Sequence, residues 1–278
     1  EIKMKKYKEF IKNKETIATI PVPIHFKYVD PIDDIKPATI PSPIHFKYVK
    51  EDVGNIHPPL EKWLNKNDNT HLTKGKTAVG HDDITKADSL SEHISEKLRD
   101  HQAKNPESDD HKKTVEHYTD ESRHINKHLL DSHKIQEPIY KHLHHIKNLD
   151  HLTSSHKLDH DLHVYSGVGF HPGELTKHSN GILKSPAFIS TTHSKHTARS
   201  FARRTNTVDG NHLSSHIIHL HLKKGENAYH TTEHSVLSRE HETIIPRDTN
   251  LKIHPKPTIY EHGVTKYHIW HAEIDHSS

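Results

Sequence analysis

Apolar residues along this chain fall into three successive rhythms, each predicting a different kind of element. The first alternates in twos. Ala18-Thr19-Ile20-Pro21-Val22-Pro23-Ile24-His25-Phe26-Lys27-Tyr28-Val29 returns as Ala38 to Val49, with Ser42 for Val22 as the single change. Each copy has two prolines, which favour extended backbone and edge positions, and then an Ile-His-Phe-Lys-Tyr-Val alternation. The copies read as paired strand-like arms that dock on the main domain or on a partner; a repetitive linker is the equal alternative. Before them, residues 1–14 are Lys-rich and read as a short amphipathic or solvated arm. After them, residues 50–81 are polar and turn-rich, a linker with one apolar patch at Leu60, Trp63 and Leu64.

The second rhythm, from about Asp82, is helical. Leu90, Ile94 and Leu98 recur every four residues, and Val115, Tyr118, Ile125 and Leu129 fall on one face. Pro138 can open a third helix, with Ile139, Leu143, Ile146 and Leu149 as its buried stripe. After Asp161 the third rhythm predicts strands at Leu162–Tyr165, Ala187–Thr192, His216–Leu222, Glu242–Ile245, Leu251–Ile253 and Lys266–Ile274. Among them Ser194 can cap a helix from Lys195 to Arg204, with Ala198, Phe201 and Ala202 inward. Helices first and sheet second make an α+β chain: an extended arm and linker over 1–81, then one domain over 82–278.

Composition narrows the function. Lys+Arg 39 against Asp+Glu 37 leaves a formal charge of +2 on 278 residues, which implies no strong pull toward nucleic acid or a membrane surface. Apolar residues make up 30%, low for a chain that buries all of itself and in keeping with an extended arm. The lack of cysteine excludes disulfides and thiolate metal sites. No apolar run approaches the roughly 20 residues of a membrane span, and the first residues lack the apolar core of a signal peptide.

Histidine, at 35 residues, is the anomaly. His142, His144 and His145 cluster on a helix, and His219 and His221 share a strand face. Yet no His-Glu-x-x-His pattern stands out, and histidines occur in every segment. That spread points to a compositional bias. No metal ligand is assigned, and a His-rich metal-binding protein stands as an alternative.

The chemistry-bearing stretch is Leu237-Ser238-Arg239-Glu240-His241-Glu242-Thr243-Ile244-Ile245-Pro246-Arg247. If its apolar part is a strand, the period of two puts Glu240 and Glu242 on one face. Like charges held that close push one pKa up and leave the other low. Such a pair suits two jobs, one carboxylate stabilising a developing cation and the other taking an acceptor's proton.

Two upstream segments give this stretch a context: a strand into Tyr165-Ser166-Gly167 and a strand into Ser190-Thr191-Thr192. In that order the three resemble the mono-ADP-ribosyltransferases of the Arg–Ser–Glu class, found in binary actin-modifying toxins and tailed-phage proteins. The resemblance covers roughly 82–275. It includes His117-Tyr118-Thr119 and Ile125-Asn126-Lys127-His128-Leu129, which look like that family's tyrosine-threonine and isoleucine-asparagine helix.

The resemblance implies helices packed on a mixed or antiparallel β-sandwich, with NAD as substrate. It implies Glu242 as the catalytic carboxylate at the ribose, Glu240 as the acceptor-side carboxylate and Ser190 as the hydroxyl that positions Glu242. Tyr165, Ser166, Gly167, Thr191, Thr192 and Phe201 would line the NAD site, Phe201 as a stacking surface for nicotinamide. Gly225 to Arg239 would be the substrate-recognition loop, with Tyr229 a contact. In this family Glu-x-Glu goes with arginine acceptors. The implied partner is therefore an arginine of a host protein, modified in the cytoplasm of the target cell after delivery by virion or secretion. The chain departs from the pattern at Ser166, where the family usually has an arginine on an NAD phosphate. Arg199, Arg203 and Arg204 are the candidates to replace that charge. A degenerate domain acting as a binding or virion structural protein is the other alternative.

Overall fold

The computed structural model describes residues 18–19, 57–75, 84–104, 107–131, 140–204, 207–209, 212–231 and 234–277. Nearly all of both Pro-rich repeats, Pro138 and Ile139 lie outside the described residues. The helices are α1 (Leu60–Leu64), α2 (Ile84–Gln102), α3 (Asp109–Asp131), α4 (Tyr140–Ser155), α5 (Pro172–Thr176) and α6 (Lys195–Arg204). The strands are β1 (Ala18–Thr19), β2 (Leu162–Val168), β3 (Ile182–Ser185), β4 (Ile189–Thr192), β5 (Thr207–Asp209) and β6 (His212–Leu222). They continue with β7 (Tyr229–His230), β8 (Glu242–Ile245), β9 (Thr249–Ile253), β10 (Thr258–His262) and β11 (Thr265–Ile274).

Hydrogen bonding runs through one mixed sheet in the order β1-β3-β9-β11-β6-β2-β4-β8-β7, with β10 added to β11 and β5 to β6. The pairs β11–β6 and β1–β3 are parallel and the others antiparallel. The α+β reading therefore holds.

Alternation along β6 explains how the sheet is covered. Ile218, Leu220 and Leu222 join a core with Val164, Leu251 and Trp270. Ile217 joins a second cluster with Tyr165, Tyr267 and Ile269 and with Ala198 and Ala202 of α6. The stripes foreseen on α3 and α4 form a third cluster. Val115, Tyr118, Ile125, Ile146 and Leu149 close on Phe188, Tyr229 and Ile244, with Leu129 packed against it. Each such buried side chain contributes about 1.5–3 kcal/mol relative to exposure. Glu121, at φ −132 and ψ 36, breaks α3 into two segments, Tyr118 on one and Asn126 on the other. Ser194 Oγ accepts from the Thr197 N–H at 3.3 Å, the cap its position foretold.

The apolar patch at Leu60, Trp63 and Leu64 is not part of a linker. These side chains are buried in the second cluster, and Trp63 meets Tyr165 edge-on at 5.5 Å. Polar turn residues around the patch hide its membership of the core. The patterns also miss β3 and β10, short strands flanked by Gly or Pro whose inward positions are few. Among the described residues no helix is long and apolar enough to cross a membrane.

Candidate active site

Neighbouring strands bring the site together. In the β4–β8 register Thr192 faces Glu242, Thr191 faces Thr243 and Ser190 faces Ile244; Tyr165 of β2 faces Thr192. Alternation then puts Ser190 on the face of Glu242 as its diagonal neighbour. Tyr165, Ser166, Gly167, Ser190, Thr191, Thr192, Phe201, Glu240 and Glu242 line one cleft with about 330 Å³ of empty space. All nine residues singled out from the sequence meet there.

The two carboxylates do not share a strand, contrary to the period-of-two expectation. Glu240 ends a 3₁₀ turn, Ser238–Glu240, and His241 adopts a left-handed conformation at φ 49 and ψ 46 before Glu242 opens β8. The turn is closed by Glu240 N–H to Leu237 O at 2.9 Å and His241 N–H to Ser238 O at 3.2 Å. The Thr192 hydroxyl fixes it by donating to the Glu240 carbonyl at 2.6 Å. His241 is buried and bonds Ser95 Oγ through Nδ1 at 3.0 Å. A packed histidine thus holds the reversal that separates the two acids.

Their environments differ accordingly. Glu242 is 7% exposed, whereas Glu240 is half-buried. Burial pushes the Glu242 carboxyl up to about 8, opposed by a hydrogen bond from Ser190 and reinforced to a lesser degree by the charge of Glu240. Desolvation, more than like-charge repulsion, sets the shift.

Behind Ser190 lies a pair to which the sequence assigned no role. Asn126 Nδ2 donates to the Tyr118 hydroxyl at 3.0 Å. Tyr118 is fully buried, and its oxygen lies 3.0 Å from Ser190 Oγ. An ionised Glu242 can only accept, so it takes the single Ser190 proton and Tyr118 then donates to Ser190. The chain Asn126–Tyr118–Ser190–Glu242 fixes the hydroxyl against the buried acid. Its signal in the sequence was the resemblance of His117-Tyr118-Thr119 and Ile125-Asn126 to the tyrosine-threonine and isoleucine-asparagine helix, which came with no role attached.

Other hydroxyls of the cleft hold backbone. Thr191 Oγ1 donates to Thr243 O at 2.6 Å, and Ser166 Oγ donates to Ser190 O at 3.0 Å, tying β2 to β4. Gly167 is needed for close packing. A Cβ there would lie 2.5 Å from the Ala202 nitrogen and closer still to the Ala198 carbonyl, so α6 and its Phe201 approach β2 only at a glycine.

Arg199 and Arg203 line a separate open hollow with His196 and Ser200, and the Arg199 guanidinium stands 5.8 Å from the Tyr267 ring. They do not line the cleft; the Arg204 side chain lies outside the described residues. Tyr229 is core, its hydroxyl donating to Glu107 at 2.7 Å. On that loop the large exposed apolar residues are Val236 and Leu237. Arg247 pairs both its Nε and Nη2 with Asp150, at 2.7 and 3.0 Å, and anchors the exit of β8 to α4. Among the described residues no three His, Asp or Glu side chains are placed to hold a metal ion together.

A family model described as ADP-ribosyltransferase exoenzyme matches residues 87–274, more than half of the chain. The chain belongs to the ADP-ribosyltransferase exoenzyme family. Solved structures of the same fold include Plx2a, a toxin from Paenibacillus larvae, at 17% identity and TM-score 0.53, covering 68% of this chain and 96% of that one. Vis, an ADP-ribosyltransferase from Vibrio splendidus solved in complex with agmatine, matches at 16% identity and TM-score 0.53, over 72% of this chain and 89% of that one. BECa, an ADP-ribosylating toxin of a C. perfringens binary enterotoxin, was solved with NADH. It matches at 21% identity and TM-score 0.52, over 69% of this chain and 48% of that one. Among curated protein sequences none matches this chain.

NAD is the ADP-ribose donor of the exoenzyme family, and the cleft has groups suited to it. Its lining includes the buried acid Glu242 and the aromatic ring of Phe201, while the space a Cβ would take at Gly167 is filled by α6. At Ser166 the cleft has a backbone tie where an arginine was expected.

Proposed function

We propose that this exoenzyme transfers ADP-ribose from NAD to arginine side chains of a host protein, in the cytoplasm of the target cell. The observation that carries the reading is the difference in surroundings between the two acids. Glu242 is buried and held by Ser190, while Glu240 lies on the turn beside the exposed Val236 and Leu237.

Cleavage of the nicotinamide–ribose bond, with its electron pair leaving on nicotinamide, passes through an oxocarbenium-like state, as glycoside cleavage does. Glu242, once ionised, hydrogen-bonds the ribose 2′-hydroxyl and stabilises the positive charge. Ser190, backed by Tyr118, keeps that carboxylate in one rotamer. Glu240 binds the guanidinium of the acceptor and accepts its proton as the guanidine nitrogen bonds to the anomeric carbon. Val236 and Leu237 supply apolar contact to the acceptor protein. Agmatine, bound by Vis, is an arginine without its carboxylate, and its guanidinium is the group Glu240 would receive.

The test is incubation with labelled NAD and agmatine, and in parallel with a cell lysate. Label joined to agmatine and to one or a few lysate proteins, released by agents that cleave arginine-linked ADP-ribose, is the expected result. Label on protein with none on agmatine would move the acceptor to another residue type. No NAD cleavage by folded protein would contradict the transferase reading itself.

A further inference from the structure

The family match begins at residue 87, yet a segment before it is fixed to the cleft by buried polar contacts. Asp68 and Lys195 form an ion pair at 2.8 Å with side chains only 5% and 6% exposed. The Tyr165 hydroxyl donates to the same Asp68 oxygen at 2.6 Å. Lys195 Nζ also donates to the carbonyls of Trp63 at 2.9 Å and Lys66 at 2.6 Å, so its three protons are placed. The next residue, Asn69, pairs with the backbone of β2 in both directions, to His163 O at 3.0 Å and from His163 N–H at 2.8 Å.

These contacts converge on two walls of the cleft. Tyr165 immediately precedes Ser166 and Gly167, which line it. Lys195 begins α6 three residues after Thr192, whose hydroxyl holds the Glu240 carbonyl. A buried ion pair is weak evidence for net stability, because desolvation offsets much of its attraction. Its value here is positional: one carboxylate grips a strand and a helix start that are far apart in sequence.

We propose that residues 60–69 brace the NAD cleft and that Asp68 is a positioning residue for the transfer reaction, holding Tyr165 and Lys195 so that both walls keep their binding geometry. The proposal rests on the NAD-dependent reading above. It gives the stretch before the family domain a role in the active site.

The experiment compares the full chain with Asp68→Asn by hydrogen exchange, by NAD binding in a calorimeter and by steady-state kinetics. The brace predicts faster exchange at 165–167 and 190–194, with β9 and β11 unchanged. It also predicts a Kd and KM for NAD raised by about tenfold, the loss of one charge-assisted contact, with kcat within about twofold. Exchange that is unchanged or that rises evenly over the sheet, or NAD affinity equal to wild type, would overturn it. Should Asp68→Asn not fold, Asp68→Leu/Lys195→Met removes both buried charges together and carries the same test. Wild-type protein that binds no NAD would end the functional reading, while the exchange pattern would still decide the brace.

Discussion

The cleft and the centre of the sheet are both rich in buried polar side chains, but they use them differently. In the cleft the bonds run in one direction, from Asn126 through Tyr118 and Ser190 to Glu242, and end on a single acid. Across β2, β6 and β11 histidines contact one another. His163 Nδ1 lies 3.0 Å from His219 Nε2, His219 Nδ1 lies 3.1 Å from His271 Nδ1, and Trp270 donates to His216 Nδ1 at 3.2 Å. Each of these contacts needs a ring nitrogen without a proton. The comparison teaches that burial of a titratable group serves reactivity in one place and packing in the other. These buried histidines thus have a structural use in packing the sheet.

The largest expected effect lies in the histidine region and is a loss of stability in acid. Burial pushes His216, His219 and His230 down to about 3, with His268 and His171 adding to it at His216 and His241 and Arg99 at His230. At His219 the neighbouring Asp68 opposes the shift. The unfolded state binds the protons these rings refuse, so stability falls as pH drops below about 6.5. Between pH 7 and pH 5 the three together cost roughly 6 kcal/mol. Glu242 acts oppositely: with its carboxyl raised to about 8, its stabilising contribution is lost as pH rises through 8 and grows toward pH 5, returning roughly 2–3 kcal/mol. The rings outnumber this single acid, and His163, held down to about 4 chiefly by burial, adds to them, so the balance is a loss of stability in acid. Urea titrations at pH 7 and pH 5 check this, and Glu242→Gln should steepen the acid loss by removing the offset. Equal stability at the two pH values would mean that the rings are not held neutral.

A smaller effect belongs to the cleft. Tyr118→Phe leaves Ser190 without its phenol partner and the Glu242 carboxylate less firmly held. kcat should fall by roughly tenfold, and the rising limb of kcat/KM against pH should move to more alkaline values. A loss of kcat with an unmoved limb would separate Tyr118 from the acid. The smallest effect should come from Arg199→Ala, which changes NAD affinity by less than about twofold because the arginine contacts Tyr267 and not the cleft. A larger loss would mean that α6 supplies the charge missing at Ser166.

Much of this organisation was legible in the sequence, for identifiable reasons. Spacing in threes and fours marks the inward faces of α2, α3 and α4, and alternation in twos marks β6 and β11, whose alternate positions enter different core clusters. Eight of the nine cleft residues lie in the three motifs, and Phe201 lies on the helix that follows the second. What stayed hidden depends on contacts between distant positions or on single backbone angles. The left-handed His241 removes Glu240 from the strand, and no pattern of apolar residues encodes it. Leu60, Trp63 and Leu64 read as a patch on a linker because their partners, Tyr165, Ala198 and Tyr267, are more than a hundred residues away. That one of the two acids would be raised was foreseen, but neither which one nor its main cause, burial, is reported by two carboxylates in sequence.

The separation of the two acids is tested most directly by one set of rate measurements: NAD hydrolysis and ADP-ribosyl transfer to agmatine by wild type, Glu242→Gln and Glu240→Gln. The account predicts that Glu242→Gln loses both activities by about 10²–10³ or more, as expected for removal of a group that stabilises the transition state. Glu240→Gln should lose transfer while keeping NAD hydrolysis near the wild-type rate. Equal losses of both activities in the two variants would contradict the division of roles on which the proposed function rests.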